Sequence, residues 1–257
     1  MPIKEQLIAL KTLFIKEILR FSRIWIQTIL PSVITVALYF IIFGNLIGSQ
    51  IDDIKGHRYI DFIVPGMIMM TIITNSYANT VSSFYSSKFQ KHIEEMLVSP
   101  MPNYIIIWGF VSGGMARGII VGLAVTLTAT FFTDIQFYNI SLLIIVTLLT
   151  CILFSLAGLI NAIFANSFDD ISLIPTFVLT PLTYLGGIFY SINMLPYFWR
   201  NASFANPIFY MVDTFRTGML GIKDINTWVS ISVILGFVLL LYLTATVLMN
   251  KGIGIRS

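Results

Sequence analysis

Reactive groups are few in this chain, and their spacing argues against most chemistry. Its two histidines, His57 and His92, stand far apart, and its one cysteine, Cys151, lies in an apolar run where a thiol behaves as a small hydrophobe. No nucleophile elbow, HExxH or GxxxxGK[ST] stretch occurs, so hydrolase, zinc-protease and P-loop ATP chemistry all lack their residues. Asp169 and Asp170 evoke metal-dependent prenyl or phosphatidyl transfer, but such sites need several aspartates at helical spacing, and no metal ligand set is expected here. Following Ser167, this pair is better placed to cap the free N–H groups of a helix start and to complement its positive end. Asp213 and Arg216, three residues apart, suit a local ion pair. What remains is charge in unusual places. Arg117 interrupts an apolar run, where a cation costs about 2.5 to 3.5 kcal/mol, so it must meet a polar neighbour, snorkel to an interface, or serve substrate passage or gating.

The elements that position these residues follow from composition. The 257 residues are 57% hydrophobic and only 11% charged, with a mean hydropathy of +0.88, whereas a soluble domain carries about a quarter charged residues. A helix needs about 20 apolar residues to cross a bilayer. Six runs qualify: Ile24 to Ile51, Phe62 to Ser87, Met96 to Thr133, Ile135 to Phe168, Ile171 to Trp199 and Ile225 to Asn250. The expectation is an all-α integral membrane protein of six spans, residues 24–257, behind an amphipathic leader over residues 1–23. The first run is too long for a cleaved signal peptide. No room remains for a soluble catalytic domain, and no acidic residue falls inside any of the six runs.

Net charge is +3, and position says more than the total. Lys4, Lys11, Lys16, Arg20 and Arg23 precede the first run, Lys88 and Lys91 follow the second, and Lys251 and Arg256 close the chain. By the positive-inside rule these lie in the cytoplasm, with both termini, which an even number of spans allows. Lys55, Arg58, Arg200, Arg216 and Lys223 then fall outside. In the leader, Ile3, Leu7, Leu10, Phe14, Ile18 and Phe21 share an arc of roughly 80° at 100° per residue. That stripe belongs in the acyl boundary, with basic residues on anionic headgroups, whether the helix only anchors the first span or acts as a lever.

Between the second and third runs, residues 87–100 read as a short helix. Ser86 or Ser87 can cap it, Phe89, Ile93, Met96 and Leu97 form its stripe, and Pro100 with Pro102 ends it. It is either a solvated loop or, because an exposed apolar stripe is costly, a docking surface. In the third run, Gly114, Gly118 and Gly122 let another helix approach closely, within the chain or in a dimer. Pro175 and Pro181 should kink the fifth run, and Tyr184, Phe189 and Tyr190 near its end suit a gate, a sugar-stacking surface or ordinary interfacial aromatics. Residues 191–222 are too interrupted to cross a bilayer and too apolar for a free loop, so two short half-buried external helices are expected. Asn139 and Asn201 match the short N-x-S pattern, which is frequent by chance.

The stretch Glu94-Glu95-Met96-Leu97-Val98-Ser99-Pro100 is similar to the coupling-helix motif of type-2 ABC exporter permeases, although His92 and Ile93 replace that family's usual Gly-Thr. TPLTYLGGIFYSINMLP from Thr180, and ANPIFYMVDTFRTGMLG from Ala205 with its Pro207, Arg216 and Gly218, resemble later stretches of the same family. With size, span number and leader, the resemblance covers nearly the whole chain and is nearest a bacterial inner-membrane subgroup of unassigned substrate. It implies a homodimer, a partner ATPase subunit in two copies docking on Lys91, Glu94, Glu95, Leu97, Ser99 and Pro100, and ATP with magnesium on that partner rather than on this chain. It further implies outward transport, contact with membrane lipids and no nucleic acid. A secondary transporter or channel, and a membrane-embedded lipid-modifying enzyme, are the alternative classes.

Overall fold

The computed structural model describes residues 1–51 and 53–254, so Arg256 lies outside the described residues. Eleven α-helices follow one another among them. Helix α1 (Ile3–Ser22) is followed by α2 (Trp25–Tyr39), which runs on as a π-helix through Phe40–Ile47. Helix α3 (Tyr59–Phe89) turns through α4 (His92–Val98) into α5 (Asn103–Ala129), and α6 (Ile140–Phe164) returns. Next come α7 (Asp170–Ile174), a π turn at Pro175–Leu179 and α8 (Thr180–Leu185). Two short helices, α9 (Tyr197–Phe204) and α10 (Pro207–Leu220), precede α11 (Thr227–Lys251).

Five of these helical segments are long and apolar enough to cross a membrane: Trp25–Gly44, Tyr59–Phe89, Asn103–Ala129, Ile140–Phe164 and Thr227–Lys251. The run expected over Ile171–Trp199 forms a shorter apolar helix, Asp170–Leu185. At 1.5 Å per residue it reaches roughly 24 Å, less than the ~30 Å of a hydrocarbon core. Its ends explain the length. Ser167 Oγ accepts from the Asp170 N–H at 3.1 Å while Asp170 Oδ2 accepts from the Asn166 and Ser167 N–H groups at 2.9 and 3.1 Å, a reciprocal cap that starts the helix. Gly187, at φ +72°, stops it just past Leu185. Between the ends, Pro175 and Pro181 lack N–H donors; the turn widens to a π-helix, and the Thr180 hydroxyl bonds the Pro175 carbonyl at 2.9 Å.

The core centres on α3, which is buried along most of its length against α5, α6 and α10. Lipid is as apolar as leucine, so small residues and polar contacts must hold such helices together. The α5 glycines provide that contact within the chain. A Cβ on Gly114 would collide with Thr80 Oγ1 of α3 and Ser155 Oγ of α6, one on Gly118 with Ser76 Oγ, and one on Gly122 would stand 2.6 Å from Ile72. By contrast α2 and α11 are mostly open, with Ile34, Leu38, Leu239 and Leu240 each about half exposed. Asparagines cap three helices: Asn139 accepts from Leu142 N–H, Asn206 from Ile208 N–H and Asn226 from Trp228 N–H, each at 3.0 Å.

Candidate functional site

Three regions collect the polar and aromatic residues singled out above: one end around α4, a seam between α1, α3 and α5, and the opposite end around α10. At the first end α3 runs on to Phe89, so Ser86 and Ser87 lie inside it and cap nothing. The break comes instead at Lys91, in the left-handed conformation at φ 62°. The expected apolar stripe divides: Phe89, at the end of α3, is exposed, while the part carried by α4 does not face outward. Ile93 is buried in the chain's own core and Met96 and Leu97 pack against it, so the outward face shows Lys91, His92, Glu95, Val98 and Pro100. Val98 is 88% exposed. Ser99 closes the helix, its hydroxyl donating to the Met96 carbonyl at 2.6 Å and its N–H to Glu95 O at 3.2 Å. Glu94 is half-buried. Beside α4, exposed Phe89 and Phe168 gather with buried Tyr85, at ring separations of 4.8 Å for Tyr85 to Phe168 and 5.5 Å for Phe89 to Phe168. Lys88 donates to the Ile163 and Ala165 carbonyls at 2.7 Å each, tying α3 to the end of α6. Phe168 joins this surface through folding alone; nothing in its sequence surroundings marked it.

The seam holds a residue that sequence reasoning passed over. In α1 the inward face is Leu13, Glu17 and Phe21, while Ile3 and Leu7 of the apolar stripe stay exposed. Glu17 is 1% exposed, and its Oε1 accepts from Ser83 Oγ of α3 at 2.7 Å. Lys16 and Arg20 approach its carboxylate at 3.3 and 3.4 Å. Arg20 donates to the carbonyl and side-chain oxygens of Asn79 at 3.0 and 2.7 Å. Gly109 and Gly113 of α5 make room for Leu13 and Glu17; a Cβ on Gly113 would stand 2.5 Å from Glu17 Cβ. These two glycines are the sequence signal that could place Glu17. Arg117 lies at the middle of α5, half-buried, its Nε donating to Asn75 Oδ1 at 3.3 Å. Asn75 in turn donates to Ser32 Oγ of α2 at 3.2 Å. The polar-neighbour reading of Arg117 thus has a partner in Asn75.

At the opposite end, Arg216 and Asp213 do not pair as their spacing suggested; no ion pair joins them among the described residues. Arg216 is 2% exposed, stands 3.9 Å over the Phe62 ring, and donates to the Phe62, Gly187 and Ile188 carbonyls at 3.3, 2.8 and 3.5 Å. Burial pulls its pKa down to about 10, still a cation at neutral pH. Asp213 accepts from the Asp224 and Ile225 N–H groups at 2.9 and 3.2 Å, and burial raises its pKa. Gly66 lets the Ile188 backbone rest on α3, a Cβ there being 2.9 Å from Ile188 Cα and O. Tyr59 donates to the Phe189 carbonyl at 3.1 Å. So fixed, Phe189 stacks 5.9 Å from Tyr184 and 5.2 Å from Phe43, while the Tyr190 hydroxyl bonds Tyr184 O at 3.0 Å. Pro207 opens α10 at its first helical position and Gly218 lets Leu143 approach, a Cβ there being 2.7 Å away.

No group of three or more His, Cys, Asp or Glu able to hold a metal occurs among the described residues. The profile of the family described as ABC-2 type transporter matches residues 8–220. The chain is 54% identical over 250 residues to the inner membrane transport permease YadH of Escherichia coli strain K12, covering 97% of this chain and 98% of that one. It is 21% identical over 237 residues to nodulation protein J of Rhizobium leguminosarum bv. viciae, covering 92% of each. A match of 20% over the same length joins it to nodulation protein J of Rhizobium meliloti strain 1021, covering 92% of this chain and 90% of the relative. A family profile spanning most of the chain, together with a relative at 54% identity from end to end, shows that this chain belongs to the ABC-2 type transporter family.

Proposed function

We propose that the chain is the membrane half of an ATP-driven exporter in a bacterial inner membrane. Two copies enclose one pathway, and two cytoplasmic ATPase subunits, which carry the ATP and magnesium, dock on α4. The observation that carries this reading is α4 itself: anchored to the core through Ile93, it presents Glu95 and Val98 beside the exposed rings of Phe89 and Phe168. Membership in the ABC-2 family and the absence of a P-loop from the chain point the same way. Lys88 and Lys91 flank α4, and the start of the leader and the end of α11, with Lys4 and Lys251, meet the start of α5 through Gln6–Tyr104 and Asn250–Asn103, which favours placing that end and both termini in the cytoplasm. Asp170–Leu185 is then a sixth, short crossing, completed by the turn at residues 186–190 and capped by α9 and α10. Tyr184, Phe189 and Tyr190 line the outer gate, and Arg117 faces the pathway.

Closing of the ATPases pushes α4 and the seated leader helix, and the pathway opens outward. The test is whether an ATPase subunit co-purifies with the permease when its native gene neighbourhood is expressed. Glu95→Arg should abolish stimulation of that ATPase while the permease still elutes as a dimer. Full stimulation by the variant would remove α4 from the interface, and a wild-type permease that retains no ATPase would sink the exporter assignment.

A further inference from the structure

We propose that Arg117 with Arg20 forms a binding site for the anionic headgroup of an amphiphile, set halfway along the membrane-spanning helix α5. This deepens the reading of Arg117 as a pathway residue and rests on it.

The case begins with a charge that has no counter-charge. Arg117 stands at the middle of the 27-residue α5, roughly 20 Å along the helix from either end. A guanidinium at such depth is expensive, and proteins pair it or open it to a polar cavity. Among the described residues Arg117 makes one hydrogen bond, from Nε to Asn75, and no carboxylate stands within ion-pair distance. Its Nη donors are not among the sealed, partnerless atoms of the interior, so they open onto accessible space. Arg20 lies one helical turn away, since its partner Asn79 follows Asn75, the partner of Arg117, by four residues on α3. Glu17 is committed to Ser83, Lys16 and Arg20, so the seam keeps an excess of positive charge.

A second copy of the chain cannot correct this. No acidic residue lies in any of the six apolar runs, and Glu17, which the leader brings to this level, is committed in each copy to Ser83, Lys16 and Arg20. The missing anion therefore comes from a ligand. Two unspent Nη nitrogens in one plane match the spacing of two oxygens on a phosphate, sulfate or carboxylate. Next to the seam, through the Asn75–Ser32 bond, α2 and α3 enclose a cleft of about 200 Å³. Pro31, Val36, Met67 and Met70 give it an apolar wall, interleaved with the hydroxyls of Ser32, Thr35, Thr71 and Thr74. Anion on one side and apolar cleft on the other describe an amphiphile with an acidic head. Such a headgroup can belong to a transported molecule or to a resident membrane lipid.

The experiment uses the purified full-length permease without any ATPase, in dodecyl maltoside, titrated with decyl phosphate, decyl glucoside, decyltrimethylammonium and inorganic phosphate. Binding is read from thermal shift and tryptophan fluorescence. Decyl phosphate should saturate at least about tenfold more tightly than the neutral and cationic amphiphiles. Arg117→Gln should lose about tenfold in affinity for decyl phosphate alone, and Arg117→Lys less. Equal binding of decyl glucoside and decyl phosphate to the wild type overturns the proposal even if Arg117→Gln fails to fold, and so does undiminished affinity in a folded Arg117→Gln protein. In nanodiscs, a response to decyl phosphate in phosphatidylcholine that disappears in phosphatidylglycerol assigns the site to a resident lipid; a response kept in both assigns it to cargo. Selective binding without retention of an ATPase partner would keep this site and remove the exporter reading, so the two can fail separately.

Discussion

Replacing Glu17 by alanine tests whether the leader helix is seated in the protein or merely lies on the membrane. The carboxylate is 1% exposed and accepts from Ser83 Oγ at 2.7 Å. Truncation leaves that hydroxyl buried without its partner, at about 1 to 3 kcal/mol. It also removes the Cγ methylene packed over Gly113, worth about 0.8 kcal/mol. Lys16 and Arg20 are 41% and 29% exposed, so solvent screens their pull, and each adds no more than about 0.5 kcal/mol. The expected loss is about 2 to 5 kcal/mol, overlapping the range for breaking one side of a buried pair. For a chain of this size that is a fall of about 10 °C in the melting temperature of detergent-purified protein. Glu17→Gln keeps the stem and an acceptor for Ser83, and should cost about 1 kcal/mol. Pairing Glu17→Ala with Ser83→Ala should show coupling of about 1 kcal/mol or more. Equal melting of wild type and Glu17→Ala, or strict additivity in that cycle, would refute the seat.

Three further outcomes follow from the opposite end of the molecule. Gly66→Ala places a Cβ 2.9 Å from the backbone of Ile188, which cannot rotate away, and should cost about 1 to 3 kcal/mol on melting; Gly236→Ala in α11, with open space around it, should be neutral or slightly stabilising. Arg216→Met removes donors from three carbonyls and should raise hydrogen exchange of the amides at residues 188–190, while unchanged protection would deny Arg216 its hold on that turn. For Asp213, burial puts the folded pKa above 3.8, so the folded state binds the proton more readily than the unfolded chain. Stability relative to Asp213→Asn should therefore rise as pH falls from 7 toward 4; a difference in melting temperature that stays flat or reverses would contradict that sign.

The helices were legible in the sequence wherever apolar length alone decides them, as in α3, α5, α6 and α11. Asp170–Leu185 was overestimated because apolar composition continues past Leu185, whereas the glycine conformation that ends the helix does not register in hydropathy. Around α4 the composition of the stripe was read correctly and its direction was not. A seven-residue helix offers one apolar face, and only the fold decides whether that face meets a partner or its own core; Ile93 meets the core. The Asp213–Arg216 spacing misled for a related reason. Neighbours on a helix pair readily in water, but a buried guanidinium needs several acceptors at once, and the turn at Gly187 and Ile188 offers them from another part of the chain. Glu17 was hidden because amphipathic patterning assigns charged residues outward, and only Gly109 and Gly113 on α5 mark the close approach that buries it.

The fastening of α3 links these two sets of contacts. At one end it holds the leader helix through Ser83 and Asn79; at the other it holds the turn carrying Phe189 through Tyr59, Gly66 and the Phe62 carbonyl. Helix α2 touches the same rod lightly, through the Asn75–Ser32 bond and the rings of Tyr39 and Phe43 on Phe189. A rigid helix fastened at both ends cannot let one attachment shift while the other stays fixed, unless a set of contacts breaks. Motion of the leader seat therefore reaches residues 186–190 through α3, and α2 is the element free to part from them. Hydrogen exchange decides the point: with α3 intact, Glu17→Ala should loosen the amides at residues 188–190 as well as those of α1. Loosening confined to α1 would mean that α3 does not carry the seat's motion to the aromatic cluster.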